Sequence, residues 1–458
     1  GWVRGGTPEA WHDLMLSQAS GHRFNVVQQT GTDLWRSSAA GQNLSVAADS
    51  EHGLALAIGP RSDGAPCRWH PATLWIGIGC ERLSSLALIQ RAVDRSLQSA
   101  GLAKESVAGI SSIEAKGDEP ALLEFCEHQN WPLRLFGAAA LADVAVPTPS
   151  EVVKAEMGTA SVAEASALLA SGDGAQLLQA KRIFHAEGGE QGAVTVAIAE
   201  AAHPLAASKG ELHLVGSGPG SLQLLTADAR TALSRCVLWV GYGLYLDLLE
   251  PLRRCDQVRL DGQLTRERDR CWQALDLARQ GARVALISSG DSGIYGMAGL
   301  ALELWMDLPE TERPRFQVHP GLSALQLAAA RAGAPLMHDF CTISLSDRLT
   351  PWEVIERRIE AAASGDFVVA IYNPRSRERN WQLTKAKEIL LCARPETTPV
   401  VMARQLGRSD EQVSLHSLGN LRPEDVDMLT VLVIGNSSSR VQDGRMVTPR
   451  GYPGATLN

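Results

Sequence analysis

Two glycine-rich loops constrain the fold of this chain more than any other feature. LVGSGPGS at residues 214–221 and LISSGDSGIYGMAG at residues 286–299 each contain the end of a short apolar run and precede helix-like sequence. A short apolar run bounded by glycine is typical of a buried strand, and open α/β sheets bind small ligands where such strands end. The two loops therefore predict one shared ligand site at the edge of a sheet.

The first loop does not fit the usual dinucleotide-binding motif. That motif needs GxGxxG and an acidic residue at the end of the second strand, where it holds a ribose. Here Gly216 and Gly218 are followed by Gly220 one position early, and Pro219 lacks the amide donor that a phosphate cradle needs. The second apolar run, VLWV, ends in Gly-Tyr-Gly without an acid. An adenosine ligand without a phosphate fits these residues better.

Six blocks within residues 216–436 carry a resemblance to a known family. In order they read GSGPG, SSGDSGIYGMAG, HPGLSALQLAAARAGAPLMHDF, SLSDRLTPWE, VVAIYNPRS and VLVIGN. Together they resemble the precorrin-3B C(17)-methyltransferases of cobalamin biosynthesis, within the tetrapyrrole class of S-adenosylmethionine methyltransferases. The resemblance implies a two-lobed α/β fold with a cleft, S-adenosylmethionine as cofactor, and a homodimer. It also implies methylation of precorrin-3B or cobalt-precorrin-3 at carbon 17 with ring contraction, and methylation at another tetrapyrrole position is the alternative.

The N-terminal half resembles a second family of the same pathway. Strand-like and helix-like segments alternate over residues 73–200, which predicts a compact α/β domain. The blocks GIGCER, SSIEAKGDEPALLEF, TPSEVVKAEMGTASVAEASALLASG and LLQAKRIF resemble the C-terminal domain of cobalt-precorrin-5A hydrolase. Residues 1–72 more weakly resemble its middle domain, and we expect its N-terminal domain to be missing. The expected domains are therefore 1–72, 73–200, 211–325 and 326–450.

Composition and charge argue against several classes of function. The formal net charge of −8 argues against nucleic acid as a partner, because its phosphates require a basic surface. No apolar run of 18 residues and no charged-then-apolar leader occurs, so we expect no membrane span and a cytoplasmic protein. The eight cysteines occur singly without a CxxC pair or a Cys/His cluster, which favours small buried thiols over a metal site.

The candidate cofactor site contains one acid. Asp291 follows the strand-like VALISS, so its carboxylate is placed to accept hydrogen bonds from ribose hydroxyls. The alternative is that Asp291 caps the next turn and the glycines only shape a loop. The family resemblance implies a cofactor pocket formed by Gly216, Gly218, Pro219, Gly290, Asp291, Ile294, Ser323, Ala324, Tyr372 and Leu406.

Candidate substrate-binding residues follow the strand-like FVVAIYN. Asn373 and Pro374 predict a turn that would present Arg375, Arg377 and Arg379 at the end of a strand. Guanidinium groups suit the acetate and propionate carboxylates of a tetrapyrrole. The alternative is an ordinary solvated charge run.

Candidate catalytic residues lie in both halves of the chain. Ring contraction needs proton transfer, for which we consider His338, Asp339 and Asp347. The alternatives are a His338-Asp339 pair that only satisfies backbone polarity and an Asp347 that only precedes a helix. In the N-terminal half, Glu114 and Lys116 of SIEAKGDE would serve lactone opening as base and oxyanion partner. The alternatives there are a solvated loop and a non-catalytic module that binds a tetrapyrrole.

Overall fold

The computed structural model describes residues 2–22, 24–42, 55–205, 210–263, 266–376 and 379–453. These residues form two compact units, which are described separately below. The first comprises residues up to 210 together with 279–281, and the second comprises 211–278 and 282–458. Among the described residues, no helix combines the length and apolar character needed to cross a bilayer.

The first unit begins with a small four-stranded sheet. Its strand order is β1-β4-β3-β2, in which only β1 runs antiparallel to its neighbour. Trp11 and Leu14 pack with Phe24 against one face of this sheet and bury its apolar side chains. The elements are β1 (Val3–Gly6), α1 (Pro8–Ala19), β2 (Asn25–Gln28), α2 (Ala39–Gln42), β3 (Ala55–Ile58) and β4 (Cys67–His70).

A larger sheet follows in the same unit, with strand order β7-β6-β5-β9-β8. The strands β5, β6 and β7 are parallel, so their carboxyl ends meet at one edge. The sheet is central to the unit because every residue of β6 is buried. The elements are β5 (Leu74–Cys80), α3 (Leu86–Ala100), β6 (Val107–Ile113), α4 (Pro120–Gln129), β7 (Leu133–Phe136), α5 (Ala138–Ala142), α6 (Glu151–Met157), α7 (Val162–Ser171), β8 (Gln176–His185) and β9 (Ala193–Glu200).

The second unit starts with a five-stranded parallel sheet, which we call the first lobe. Its order is β12-β11-β13-β10-β14, so the strands that precede the two glycine loops, β10 and β13, are neighbours. Helices between the strands explain why the strands read as nearly continuous apolar runs. The elements are β10 (Glu211–Gly216), α8 (Ala227–Arg235), β11 (Leu238–Tyr242), α9 (Gly243–Leu249), β12 (Val258–Gly262), α10 (Glu267–Arg279), β13 (Arg283–Ser288), α11 (Ala298–Met306) and β14 (Arg315–His319).

The second lobe of this unit is a mixed sheet of order β16-β17-β20-β18-β19, with a small sheet of order β15-β22-β21. Within the five-stranded sheet only β16 and β17 pair in parallel, and the other three pairings are antiparallel. The elements are α12 (Ala324–Ala332), β15 (Gly333–Ala334), β16 (Phe340–Ser344), α13 (Trp352–Ser364), β17 (Val368–Tyr372), α14 (Gln382–Ala393), β18 (Pro399–Arg404), β19 (Gln412–Ser417), β20 (Thr430–Ile434), β21 (Arg440–Gln442) and β22 (Arg445–Val447).

The cysteines only partly follow the expectation of buried thiols. Cys67, Cys126, Cys236 and Cys271 are buried, but Cys255 and Cys392 are exposed. Burial raises the pKa of Cys236 to about 12, which keeps that thiol protonated. In the described part of the chain, no group of three or more His, Cys, Asp or Glu side chains is placed to hold a metal ion. The domain boundaries derived from the sequence stay a prediction.

Candidate active site

The two glycine loops meet at the carboxyl edge of the first lobe. Because β10 and β13 pair in parallel, Gly216 lies opposite Ser288 at their ends. The two loops then exchange backbone hydrogen bonds: the Gly218 amide donates to the Gly290 carbonyl over 3.1 Å, and the Gly290 amide donates to the Gly218 carbonyl over 2.8 Å. The two loops therefore form one structural element at this edge.

A third loop, after β14, completes this crossing. A side chain at Gly321 would place its Cβ inside the contact distance of the Gly290 carbonyl oxygen and of the Gly216 carbonyl carbon. Three backbone segments therefore approach so closely that only glycine fits at Gly321. Gly321 was not among the site residues predicted from the sequence. It could have been, because a glycine just after a strand is also what marks the first two loops.

Asp291 ties these loops together. One carboxylate oxygen accepts a hydrogen bond from the Gly293 amide over 2.8 Å, as in a capped turn. The other accepts from the Gly321 amide over 3.1 Å. Each carboxylate oxygen can accept a second hydrogen bond, so both oxygens retain capacity for a ligand hydroxyl. The geometry is compatible with both interpretations of Asp291, the turn cap and the ribose acceptor.

A cavity of about 200 Å³ opens beside Asp291 and is lined by residues of both lobes. Gly216 and Gly218 are absent from its described lining and instead form the loop crossing. The sequence-derived residues that do line it are Pro219, Gly290, Asp291, Ile294, Ser323, Ala324, Tyr372, Asn373 and Leu406. The lining residues that the sequence reasoning missed are Tyr245, Ser289, Tyr295, Gln405, Arg408, Met428, Leu429, Thr430 and Val431.

Tyr372 fixes the start of helix α12 at the cavity wall. Its hydroxyl oxygen accepts a hydrogen bond from the Leu325 amide over 3.0 Å. Ser323 caps the same helix by accepting from the Gln326 amide, and the Gln326 side-chain oxygen accepts from the Ser323 amide, which completes a capping box. Burial raises the pKa of Tyr372, so its phenol stays protonated near neutral pH. This network holds Ser323 and Ala324 in place along the cavity.

Three non-glycine residues that line the cavity have left-handed backbone conformations. The φ angles of Tyr295, Asn373 and Gln405 are 53°, 49° and 51°. Such conformations cost about 1–3 kcal/mol each and concentrate at functional sites, where the surrounding structure must stabilise them. The Tyr295 ring, from the first lobe, lies 5.2 Å from the ring of Tyr372 in the second lobe. These residues indicate a ligand site to which both lobes contribute.

The arginines that we proposed for substrate binding have different environments. Arg375 donates to the Pro423 carbonyl over 3.1 Å and is absent from the described lining of the cavity. Arg377 lies outside the described residues. Arg379 is 8% exposed and donates to the carbonyls of Leu345 and Asn373, each over 3.1 Å, so it holds the turn from inside. For Arg379 the structure therefore contradicts the solvated-face and the substrate-binding interpretations.

The proposed proton-transfer residues do not converge on the cavity. His338 and Asp339 are exposed and precede β16, whereas the Ser344 end of β16 lies beside Tyr372. At about 3.3 Å per strand residue, Asp339 and His338 lie roughly 16 Å and roughly 20 Å along the strand from that end. Asp347 follows β16 on the correct side and accepts a hydrogen bond from Gln382 Nε2 over 2.9 Å, but it is not among the described lining residues.

In the first unit, the acidic loop after β6 contains a buried ion cluster. Glu114 is exposed, but Lys116 and Glu119 are 8% and 0% exposed. One Glu119 oxygen accepts from the Leu83 amide over 2.7 Å. Its other oxygen lies 3.9 Å from Lys116 Nζ and 3.7 Å from Arg82 Nη1, without a hydrogen-bond partner in the described residues. A solvated loop is therefore the wrong description of Lys116 and Glu119.

Comparison with known proteins agrees with this geometry. The profile of the tetrapyrrole (corrin/porphyrin) methylases matches residues 211–422, which contain both glycine loops. The probable cobalt-factor III C(17)-methyltransferase of Salmonella typhimurium is 46% identical over 245 residues, which cover 53% of this chain and 99% of that protein. The chain belongs to the tetrapyrrole methylases. The precorrin-3B C(17)-methyltransferase of Sinorhizobium is 41% identical to this tetrapyrrole methylase, over 54% of this chain and 99% of that protein.

Structural comparison extends this result. The crystal structure of the methyltransferase CobJ is 36% identical in sequence to this tetrapyrrole methylase, with a TM-score of 0.50. The alignment covers 52% of this chain and 100% of the CobJ chain. The predicted two-lobed fold is thereby confirmed. The profile of the cobalamin synthesis G C-terminus matches residues 74–199, which confirms the resemblance of residues 73–200, and that of residues 1–72 stays a prediction. This methylase therefore carries an additional α/β domain before its two lobes.

Proposed function

We propose that this tetrapyrrole methylase transfers a methyl group from S-adenosylmethionine to carbon 17 of a precorrin-3B or cobalt-factor III macrocycle, with ring contraction, in cobalamin biosynthesis. The names of the Salmonella and Sinorhizobium relatives support this substrate class. The observation that carries the proposal is the cavity between the lobes at the crossing of the glycine loops, where Asp291 and Tyr372 contribute to one wall. The two relatives differ in whether the named substrate contains cobalt, and the proposal covers both substrates.

The residues of the cavity fit the proposed cofactor. Gly290 has a φ of 65° and an open face, because an added Cβ would have its nearest atoms only at ordinary contact distances. Asp291 has spare acceptor capacity for the hydroxyls of a ribose, and Ile294 and Leu406 supply apolar surface for an adenine ring. When bound, S-adenosylmethionine supplies an electrophilic methyl group, so the transfer itself requires neither a metal ion nor a strong base.

The contribution of the chain to methyl transfer is positioning. Holding two reacting groups at near-attack distance is worth about 7–11 kcal/mol of the barrier. The left-handed residues Tyr295, Asn373 and Gln405 support this role, because a strained backbone fixed by its surroundings gives a rigid wall on both lobes. Proton-transfer roles for His338, Asp339 and Asp347 in the contraction stay predictions that the cavity lining does not support.

The test is a reaction of the purified full chain with ¹³C-methyl-labelled S-adenosylmethionine and, separately, precorrin-3B and cobalt-factor III. We expect one added methyl group at carbon 17 and the absorption spectrum of a ring-contracted product from one of the two. A label at another carbon would contradict the proposed position. Asp291→Ala should weaken S-adenosylhomocysteine binding in calorimetry, whereas Asp307→Ala, an exposed position after α11, should not.

A second activity of the first unit is favoured by its buried ion cluster. Lys116 and Glu119 place a cation and a carboxylate at the carboxyl edge of the parallel strands β5, β6 and β7, a combination that suits lactone opening. Release of acetaldehyde from cobalt-precorrin-5A by the wild-type chain, and its loss in Lys116→Met, would support hydrolysis. Binding of the same compound without release would favour a non-catalytic binding module. A homodimer and a cytoplasmic location complete the proposal and rest on family resemblance, and sedimentation measures the first.

A further inference from the structure

Arg408 places a cation on the wall of the proposed cofactor cavity. It is half-buried, and it is the single basic residue among the described lining residues. Within the part of the chain that the structure describes, its guanidinium group has neither a hydrogen-bond acceptor nor an acid at ion-pair distance. A partly desolvated charge without a partner is unfavourable, and proteins normally pair such groups. The missing partner of Arg408 is therefore expected to come from a ligand.

The nearby acids do not neutralise this arginine. Glu411 lies three residues away, but one of its oxygens accepts from the Gly407 amide over 2.7 Å and the other pairs with Arg331 Nε over 2.6 Å. Asp291, the single acid of the described cavity lining, accepts from the Gly293 and Gly321 amides and does not lie at ion-pair distance from Arg408. The phenol of Tyr245, which lines the same cavity, registers this charge, because burial raises its pKa and the charge of Arg408 opposes that rise.

The backbone around Arg408 holds it in this position. Gln405 and Gly407 have φ angles of 51° and 73°, so the turn between β18 and β19 has a defined left-handed geometry. An added Cβ at Gly220, in the first glycine loop, would lie 2.9 Å from Arg408 Cγ and 3.0 Å from the Gly407 carbonyl oxygen. The first lobe thus packs against the aliphatic part of Arg408, and the charged end of the side chain is positioned before any ligand arrives.

We propose that Arg408 is the carboxylate-binding residue of this cavity. A guanidinium group binds a carboxylate through two parallel hydrogen bonds, and this geometry is specific to arginine. The inference rests on the proposed function, which supplies two sources of a carboxylate: the amino-acid part of the cofactor, or an acetate or propionate side chain of the macrocycle. Both sources satisfy the same unpaired charge, and the experiment separates them.

The experiment compares Arg408→Gln with the wild-type full chain. Calorimetry measures the binding of S-adenosylhomocysteine and of 5′-methylthioadenosine, which lacks the amino-acid part, and steady-state kinetics measures KM for the macrocycle. We expect roughly a tenfold to hundredfold loss for the ligand whose carboxylate Arg408 binds, as for a hydrogen bond to a charged group. Arg408→Lys should restore part of it. Arg422→Gln, which removes an exposed arginine paired with Glu424, is the matched control.

Each outcome of this experiment has a distinct meaning. Weaker S-adenosylhomocysteine binding with unchanged methylthioadenosine binding assigns the cofactor carboxylate to Arg408. Unchanged binding of both nucleosides with an increased KM assigns the macrocycle carboxylate. Equal losses for both nucleosides, or no change in any of the three, would overturn the proposal, because Arg408 would then only shape the cavity or contribute nothing. A wild-type chain that binds neither nucleoside would contradict the proposed function, and this inference with it.

Discussion

The two main sheets differ in what lies at the carboxyl edge of their parallel strands. In the second unit, Gly216, Gly290 and Gly321 bring three backbone segments together and leave a cavity beside them. In the first unit, the loops after β5 and β6 are joined by the buried Lys116 and Glu119 with Arg82. Similar strand geometry therefore produces a ligand cavity in one case and an internal ion cluster in the other.

The difference shows where each unit uses its charges. In the first unit a carboxylate is fully buried, where ionic partners within 4 Å and a backbone amide compensate its desolvation. In the second unit the described cavity wall contains an arginine without a protein partner, for which we infer a ligand carboxylate as the compensating charge. We call the ion cluster of Lys116 and Glu119 the closed edge, and it suits stability or proton transfer within the protein. We call the cavity beside Gly290 and Gly321 the open edge, and its unpaired arginine suits ligand binding.

The largest expected effect tests the closed edge. Glu119→Ala leaves Lys116 without its ion-pair partner and the Leu83 amide without its acceptor, and breaking a buried ion pair costs about 3–5 kcal/mol. Hydrogen exchange followed by mass spectrometry should show faster exchange in β6 and α4. S-adenosylhomocysteine affinity should stay unchanged. Glu119→Gln, which keeps an acceptor for the Leu83 amide, is the matched variant and should lose less. Unchanged protection in Glu119→Ala would mean that the cluster contributes no stability.

The next effect tests the open edge. Gly321→Ala forces a Cβ into the Gly290 carbonyl, and overpacking of this kind costs about 1–3 kcal/mol or more. Because the displaced backbone carries Asp291 and Gly290, we expect S-adenosylhomocysteine affinity measured by calorimetry to fall at least tenfold. Gly299→Ala, in helix α11 with open space around it, should have no effect. Affinity within twofold of the wild-type value in Gly321→Ala would refute the crossing as a determinant of binding.

A smaller effect is expected from Tyr372→Phe. The substitution removes the acceptor of the Leu325 amide, and an unsatisfied buried amide costs about 1–3 kcal/mol. Part of this cost should appear as a severalfold loss of S-adenosylhomocysteine affinity, because Ser323 and Ala324 on the cavity wall lose their fixed position. Tyr452→Phe, at an exposed residue, is the control. Equal affinities for Tyr372→Phe and the wild type would show that the hydroxyl only supports the fold.

The smallest effect concerns pH and the first unit. Hydrogen bonds from Arg91 hold the pKa of Glu190 at about 2, below its ordinary value of 4.5. A depressed acid contributes stability that is present above its unfolded pKa and is lost as pH falls through the folded pKa. The denaturant concentration at which half of the first unit is unfolded should therefore decrease as the pH is lowered from 4.5 to 2. Arg91→Gln should flatten that decrease, and an identical pH profile in both proteins would exclude this pair as its cause.

Local sequence patterns were enough to identify the sheet class, the two glycine loops and the family. Pro219, Gly290, Asp291 and Tyr372 line the cavity because they lie at or just after strand ends, and position relative to a strand end is a local property that sequence patterns carry. The same rule places His338 and Asp339 at the opposite end of β16, because they precede that strand.

The remaining features depend on tertiary packing, because burial and convergence involve segments far apart in sequence. Arg379 and Glu119 look like solvated charges in the sequence, yet chain packing buries them. Tyr295 and Gln405 adopt left-handed conformations that their residue types do not favour, so only their packed surroundings impose them. Arg408 reaches the cavity of the first glycine loop from almost 190 residues away, since packing between the lobes, and not spacing along the chain, brings it to Gly220.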